Sequence, residues 1–198
     1  KVNAMGYTSI CAPGSVRAWS AMLERWGTLS WAEAIEPAAR IAEEGFMVRE
    51  RLAAGWREHA RHPEDCAPID QITSHAEARR IYLRPDGEPY GAGQVLRNPD
   101  YARTLRRLAA SGADDLYCGA LAREIGDDLA AHGSFVTARD LAEYRMRDAA
   151  PVVGHYRGYT VATSSAPHGG PTLMAILNIL ETMDLRSMAH NGPEYIYC

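Results

Sequence analysis

No apolar run in this chain approaches the ~20 residues that a membrane-spanning helix requires, so no helical span is expected. Only Arg103 to Arg107 concentrates positive charge locally. Arginine is interleaved with glutamate and aspartate and the formal net charge is -4, which argues against nucleic acid or an anionic membrane as the main partner, because both are gripped by clustered cations that displace counterions. CxxC pairs and zinc-spaced Cys/His groups are missing as well. The four cysteines, Cys11, Cys66, Cys118 and Cys198, therefore read as buried free thiols, and the redox compartment stays open. Residues Lys1 to Gly6 carry no apolar signal-peptide core, and the chain does not open on Met, so its true beginning is expected upstream. No phosphate loop of the GxxxxGK[ST] type, no HEXXH helix and no GxSxG elbow occurs. No cofactor is implied. Internal repeats and low-complexity segments are lacking too.

What is present is an ordinary globular composition. The 198 residues are 46% apolar and 23% charged, enough to bury the core of one domain or a compact one and a half. The pattern predicts an α+β chain, mostly helical over 1–143 and, over 144–198, a strand hairpin followed by a helix.

Thr8, Ile10 and Ala12 alternate with polar neighbours as a short strand would, up to Pro13-Gly14. Ser15 is then placed to cap a helix whose stripe is Val16, Trp19, Met22, Leu23 and Trp26, ended by Gly27. Ser30 and Glu33 form a capping box for a second helix that runs to Gly45, with Pro37 early in it. A third helix is expected from Arg49 to His59, and an irregular connection over 60–75. Ile81-Tyr82-Leu83 reads as a short strand before a turn at Pro85-Asp86-Gly87. Helices follow over Pro99 to Ala110 and Asp114 to Ala131, and Thr137 caps another, with Asp140 in its first turn. Pro151 to Tyr156 and Tyr159 to Thr163 read as a hairpin turning at Arg157-Gly158. A helix carrying Leu173, Ile176, Leu177 and Leu180 comes after it. Pro193 to Tyr197 looks like the start of one more helix, so a longer polypeptide is expected beyond Cys198.

The stretch between hairpin and helix, Ser164-Ser165-Ala166-Pro167-His168-Gly169-Gly170-Pro171-Thr172, is the most informative one. Two glycines before a helix let the backbone approach a ligand and leave free amides at a positive helix end. His168 beside them can exchange a proton near neutrality. The other reading is a tight strand-to-helix turn whose glycines only relieve steric conflict. Elsewhere the functional signals give way to plainer ones. His59 and His62 with Glu58, Glu64 and Asp65 lack metal-binding order. Asp114-Asp115 and Asp127-Asp128 suit helix starts and polar faces. Arg103 to Arg107 suits a solvated face. The tryptophans and methionines fall on apolar stripes and read as core. Cys11 lacks a local activating group. The residues by themselves thus give no complete catalytic constellation.

The order of the short motifs carries a resemblance. Ala12-Pro13-Gly14-Ser15-Val16, Arg25 to Trp31, Glu36-Pro37-Ala38 and Ala42 to Phe46 resemble successive blocks of the gamma-glutamyltransferase (gamma-glutamyltranspeptidase) family. Asn98 to Leu105, Leu116 to Gly119, Thr137 to Tyr144, Tyr156 to Tyr159, and Gly169-Gly170 followed by Leu177 to Glu181 resemble later ones. The blocks cover nearly the whole chain and match an internal part of that family's large subunit.

The resemblance implies an N-terminal-nucleophile hydrolase with an αββα sandwich, made as one precursor that cuts itself into two subunits. Its nucleophile would be the new N-terminal threonine of the small subunit, which forms an acyl-enzyme with a γ-glutamyl or related amide. The partners implied are that small subunit and a small-molecule amide substrate. The resemblance allows a periplasmic or secreted compartment without excluding a cytoplasmic one, and the sequence leaves the compartment unassigned. The catalytic threonine would follow Cys198 and the substrate-gripping arginine would precede Lys1, so no catalytic residue is carried onto this sequence. His168, Gly169 and Gly170 are the candidate substrate-lining residues. Many family members have a Pro- and Ser-rich run before the paired glycines. This chain has Ala166-Pro167-His168 there, which points to an acylase-like branch. A non-catalytic scaffold derived from the family, or a separate enzyme using Cys11 or His168, are the rival readings.

Overall fold

The computed structural model describes residues 5–58 and 67–198, so His59, His62, Glu64, Asp65 and Cys66 lie outside the described residues. The architecture is mainly helical α+β, in two units, Lys1–Met146 and Arg147–Cys198.

In the first unit a 3-10 turn, Tyr7–Ser9, precedes α1 (Ser15–Trp26), α2 (Trp31–Glu44), β1 (Phe46–Met47) and α3 (Glu50–Trp56). After these come α4 (Pro68–Ser74), α5 (Ala76–Tyr82), β2 (Val95–Leu96), α6 (Pro99–Ser111), α7 (Ala120–Ala131) and α8 (Ala138–Glu143). The strands β1 and β2 pair antiparallel, Phe46 opposite Leu96 and Met47 opposite Val95.

Capping sets many of these boundaries. The Ser30 side chain accepts from the Glu33 amide while Glu33 accepts from the Ser30 amide at 2.8 Å, each satisfying a donor the helix leaves open. Thr137 and Asp140 repeat the arrangement at α8. Asn98 caps α6, accepting from the Tyr101 amide at 3.0 Å.

The core forms where α2 packs on α6, with Ala39 and Ala102 buried, small enough for close helix approach. Trp31 locks the pair by donating its indole N–H to the Leu108 carbonyl at 2.7 Å. Beside it Leu108, Leu116, Tyr117 and Leu121 form the main cluster, flanked by Val16, Ile35, Ile125 and Tyr144. A smaller cluster gathers Val48, Ala53 and Leu96.

Several expectations are corrected here. The run Thr8 to Ala12 forms no strand; a 3-10 turn and an extended stretch occupy it. Gly14, not Ser15, is the N-cap of α1, and an ideal Cβ there would overlap the Tyr144 hydroxyl. Residues 67–75 include a helix, because Pro68 at the first helical position has its φ already set. Ile81 and Tyr82 end α5, since Ala76 to Arg80 are strong helix formers, and Leu83 makes only one bridge to Pro89. The stretch Asp114 to Ala131 splits into a 3-10 turn, Ala113–Leu116, and α7. Trp19, Met22 and Trp26 are not core: their stripe on α1 is exposed, Trp26 by 73%. Cys11, Cys118 and Cys198 are exposed as well.

Arg103 to Arg107 proves more than a solvated face. Arg106 reaches Glu43 on α2 at 2.7 Å, and Arg107 reaches Asp115 at 2.7 Å and Glu124 at 2.8 Å. Asp115 is nearly buried and also accepts from the Leu121 amide at 3.2 Å. It therefore anchors the start of α7, where a carboxylate meets a positive helix end. The Arg107 guanidinium holds its carboxyl below the usual carboxylate range, the Leu121 amide helps, and burial opposes both. A carboxyl depressed in the folded state stabilises above its unfolded pKa, and that contribution fades as pH falls through the folded value. Asp115→Asn should therefore destabilise by about 1–3 kcal/mol at neutral pH. Below about pH 4 the gap to the unaltered protein should narrow. Urea unfolding at pH 7 and pH 3 checks this, and a gap that widens in acid would contradict it.

The second unit is β3 (Val152–Tyr156), β4 (Tyr159–Thr163), α9 (Gly170–Glu181) and α10 (Pro193–Tyr197). The two strands pair in register from Val152 opposite Thr163 to Tyr156 opposite Tyr159. Arg157 and Gly158 both have positive φ, 48° and 85°, the backbone that matches a two-residue turn to strand twist. Glu181 at the end of α9 accepts from the Arg157 amide at 2.6 Å, and the Arg157 guanidinium donates to the Met183 carbonyl at 2.9 Å. Met174 packs over Gly154, where an added side chain would have to displace the Met174 methyl group. The hairpin and α9 thus form one body.

Candidate functional site

The body formed by the hairpin and α9 fixes the geometry of the turn Ser164 to Gly169. The turn leaves β4, its Ser165 carbonyl accepts from the His168 amide at 3.1 Å, and α9 begins at once. Gly169 is the N-cap, and its carbonyl accepts from the Leu173 amide at 2.9 Å.

The two glycines have different tasks. Gly170 is buried, and an ideal Cβ on it would fall well inside contact with the Ser164 carbonyl oxygen and 2.9 Å from Thr163 Cγ2. It is glycine because the returning backbone leaves no volume. Gly169 has open space where a Cβ would go. Together with His168 it lies exposed. Crowding thus accounts for the glycine at Gly170, while the backbone at Gly169 is left accessible.

No side chain caps α9, and Pro171 in its first turn carries no N–H. The exposed surface there is a helix end with its positive dipole turned to solvent, with the His168 imidazole next to it. Such an edge can approach a carbonyl or carboxylate closely.

The same unit is apolar on an outer face. Leu173, Ile176 and Ile179 on α9 are all exposed. Residues at i, i+3 and i+6 share one helix face, so the stripe is continuous and lies uncovered among the described residues.

Other candidates separate. Cys11 lies exposed on the extended stretch before Pro13. Asp114 pairs with Arg17 and Asp115 with Arg107, which makes them structural. Asp128 enters a cluster that sequence order conceals. It accepts from the Tyr7 hydroxyl at 2.9 Å across 121 positions, and the His132 ring stacks on Tyr7 at 4.2 Å. No local pattern announces that meeting; only the i, i+4 spacing of Asp128 and His132 was visible beforehand.

The family model described as gamma-glutamyltranspeptidase matches residues 1–198. Among curated relatives, the acylase ACY 1 proenzyme of Pseudomonas sp. (strain SE83) is 34% identical over 196 residues, covering 98% of this chain and 33% of that protein. The glutathione hydrolase proenzyme of Escherichia coli (strain K12) is 31% identical over 183 residues, covering 92% of this chain and 30% of that one. The crystal structure of Helicobacter pylori gamma-glutamyltranspeptidase superposes with a TM-score of 0.87 at 29% identity, over 99% of this chain and 54% of that chain. Cephalosporin acylase from Bacillus halodurans gives a TM-score of 0.81 at 28% identity, over 98% of this chain and 35% of that one. The chain spans about a third of the length of these curated relatives.

Proposed function

Because this chain belongs to the gamma-glutamyltranspeptidase family, we propose that it is one wall of an amide-cleaving acyl-transfer site whose nucleophile is an N-terminal threonine encoded outside residues 1–198. That threonine would attack the substrate carbonyl, expel the amine and hold the acyl group as an ester until water or an acceptor amine releases it. A terminal α-amine suits the role of local base because its unperturbed pKa lies near neutrality. The observation carrying this reading is the family match along the whole chain, joined to an uncapped, exposed turn at His168 and Gly169.

His168, Gly169 and Gly170 are assigned to the substrate side: Gly170 as the residue that lets the turn close, Gly169 as accessible backbone, His168 as the flanking polar group. The exposed face of Leu173, Ile176 and Ile179 is assigned to contact with the small subunit of the same precursor, which would supply the missing layer of the sandwich. The acyl group favoured is broader than γ-glutamyl. Ala166-Pro167-His168 departs from the Pro- and Ser-rich run of many members, and acylase and glutathione hydrolase proenzymes both stand among the relatives.

Expression of the full-length coding sequence tests the reading. Intact mass and N-terminal sequencing should find a second polypeptide that begins with threonine. Residues 1–198 alone should not turn over γ-glutamyl-p-nitroanilide, whereas the processed protein should turn over it or an aliphatic acyl anilide. An unprocessed product lacking any Thr-led fragment would refute the assignment.

A further inference from the structure

A cleft of about 1410 Å³ opens in the helical unit between the Tyr7–Ser9 turn, α2, α4, α5 and the last turn of α7. Its floor is apolar and aromatic, with Ile41, Phe46, Trp56, Ile72 and Tyr82. The volume is above the ~300–1,000 Å³ usual for small-molecule pockets, so it admits a sizeable apolar body. The charged lining has one sign. Glu77 and Asp128 line the cleft, and among the described residues no lysine or arginine does.

The two carboxylates differ in availability. Glu77 is shared with Arg80 at 2.6 Å, so much of its charge is answered. The partners of Asp128 among the described residues are the Tyr7 hydroxyl and His132. His132 Nδ1 lies 2.8 Å from the Asp128 carbonyl oxygen, an atom that can only accept, so Nδ1 carries the proton. The Tyr7 phenol is pushed up by its hydrogen bond to Asp128, by burial, and by the fields of Asp128 and Glu77. A field that disfavours a phenolate there favours a cation.

We propose that this cleft binds an amphipathic organic cation, its ammonium group beside Asp128 and Tyr7 and its apolar body against Ile41, Phe46, Trp56 and Ile72. Carboxylate acceptance, the π-face of Trp56 and the apolar floor each act on a different part of such a ligand. An anion of the same shape is repelled by both carboxylates. The proposal stands independently of the acyl-transfer reading, because the cleft lies wholly in the helical unit and uses none of the residues assigned to the substrate side.

Fluorescence titration of the full-length protein tests it with three matched probes: dansylcadaverine (a cation), N-pentyl dansylamide (neutral) and dansyl-6-aminohexanoate (an anion). The cation should bind about tenfold tighter than the neutral probe, and the anion weakest. Asp128→Asn keeps an acceptor for Tyr7 and removes the charge, so it should abolish the preference for the cation and leave neutral binding unchanged. Ile41→Ser, at a half-exposed position, should weaken cation and neutral probe together. Equal affinity for all three probes, no cation binding below about 1 mM, or cation binding that ignores Asp128→Asn would each overturn the proposal.

Discussion

Tyr117→Ala should cost about 3–5 kcal/mol of stability, the range for removing a fully buried aromatic side chain. Tyr117 is 1% exposed, the largest of the fully buried side chains described. It joins segments a hundred positions apart: its hydroxyl donates to the Pro13 carbonyl at 2.6 Å and accepts from the Arg17 amide at 3.0 Å. The Arg17 guanidinium lies over its ring at 4.1 Å and the Tyr144 ring stacks beside it at 5.7 Å. Burial pushes the phenol up, so it stays a neutral donor at any working pH. Tyr117→Phe separates the two contributions. It keeps the ring and strips partners from one amide and one carbonyl, for about 1–3 kcal/mol. Urea unfolding followed by tryptophan fluorescence reports the loss, since Trp19 and Trp26 ride on α1. A Tyr117→Ala loss below about 1 kcal/mol would mean that α1 is held by something other than this ring.

That cluster also marks how far the sequence is legible. Features written within four or five residues were readable: the Ser30–Glu33 box, the Thr137 cap, Gly27 and Gly45 as helix stops, and the hairpin at Arg157-Gly158. Each depends on local backbone chemistry alone. The family was readable too, because a series of short motifs in fixed order is far more specific than any one of them. Two short helices were not. Residues 68–74 and 76–82 sit among prolines, aspartates and histidines that usually mark loops, and neighbouring elements supply the stability their seven-residue lengths lack. Burial was legible only as periodicity. The stripe Trp19, Met22, Trp26 has core spacing, yet whether a stripe is covered depends on what packs against it. The charged pairs show the same limit: Asp114-Asp115 looked like a plain helix start, and only the fold reveals that Asp115 answers Arg107 across a turn. At the candidate site the sequence offered two meanings for Gly169-Gly170 and no means of dividing them, because the crowding at Gly170 comes from the carbonyl of Ser164, a backbone atom that every residue possesses.

The division between the glycines yields the sharpest expected contrast. Gly170→Ala forces a methyl group onto the Ser164 carbonyl, and backbone cannot swing aside as the end of a side chain can. The turn must open, at about 1–3 kcal/mol or more of strain, and it carries His168 and Gly169 with it. A displacement of about 1 Å at a substrate-positioning segment costs on the order of 100-fold in rate. In the full-length processed protein, kcat/KM for its best acyl anilide should therefore fall about 100-fold. Amide exchange over β4 and the first turn of α9 should speed up in parallel. Gly169→Ala meets open space at an ordinary φ of -72°, so exchange should not change. Turnover should nevertheless drop about tenfold, roughly 1.4 kcal/mol of transition-state binding, because the added methyl group stands on the accessible side of the turn. His168→Ala should likewise lower turnover with the fold intact. Were Gly169→Ala and His168→Ala both to leave kcat/KM unchanged while Gly170→Ala still loosened the turn, the segment would be a structural corner and the substrate would have to bind elsewhere.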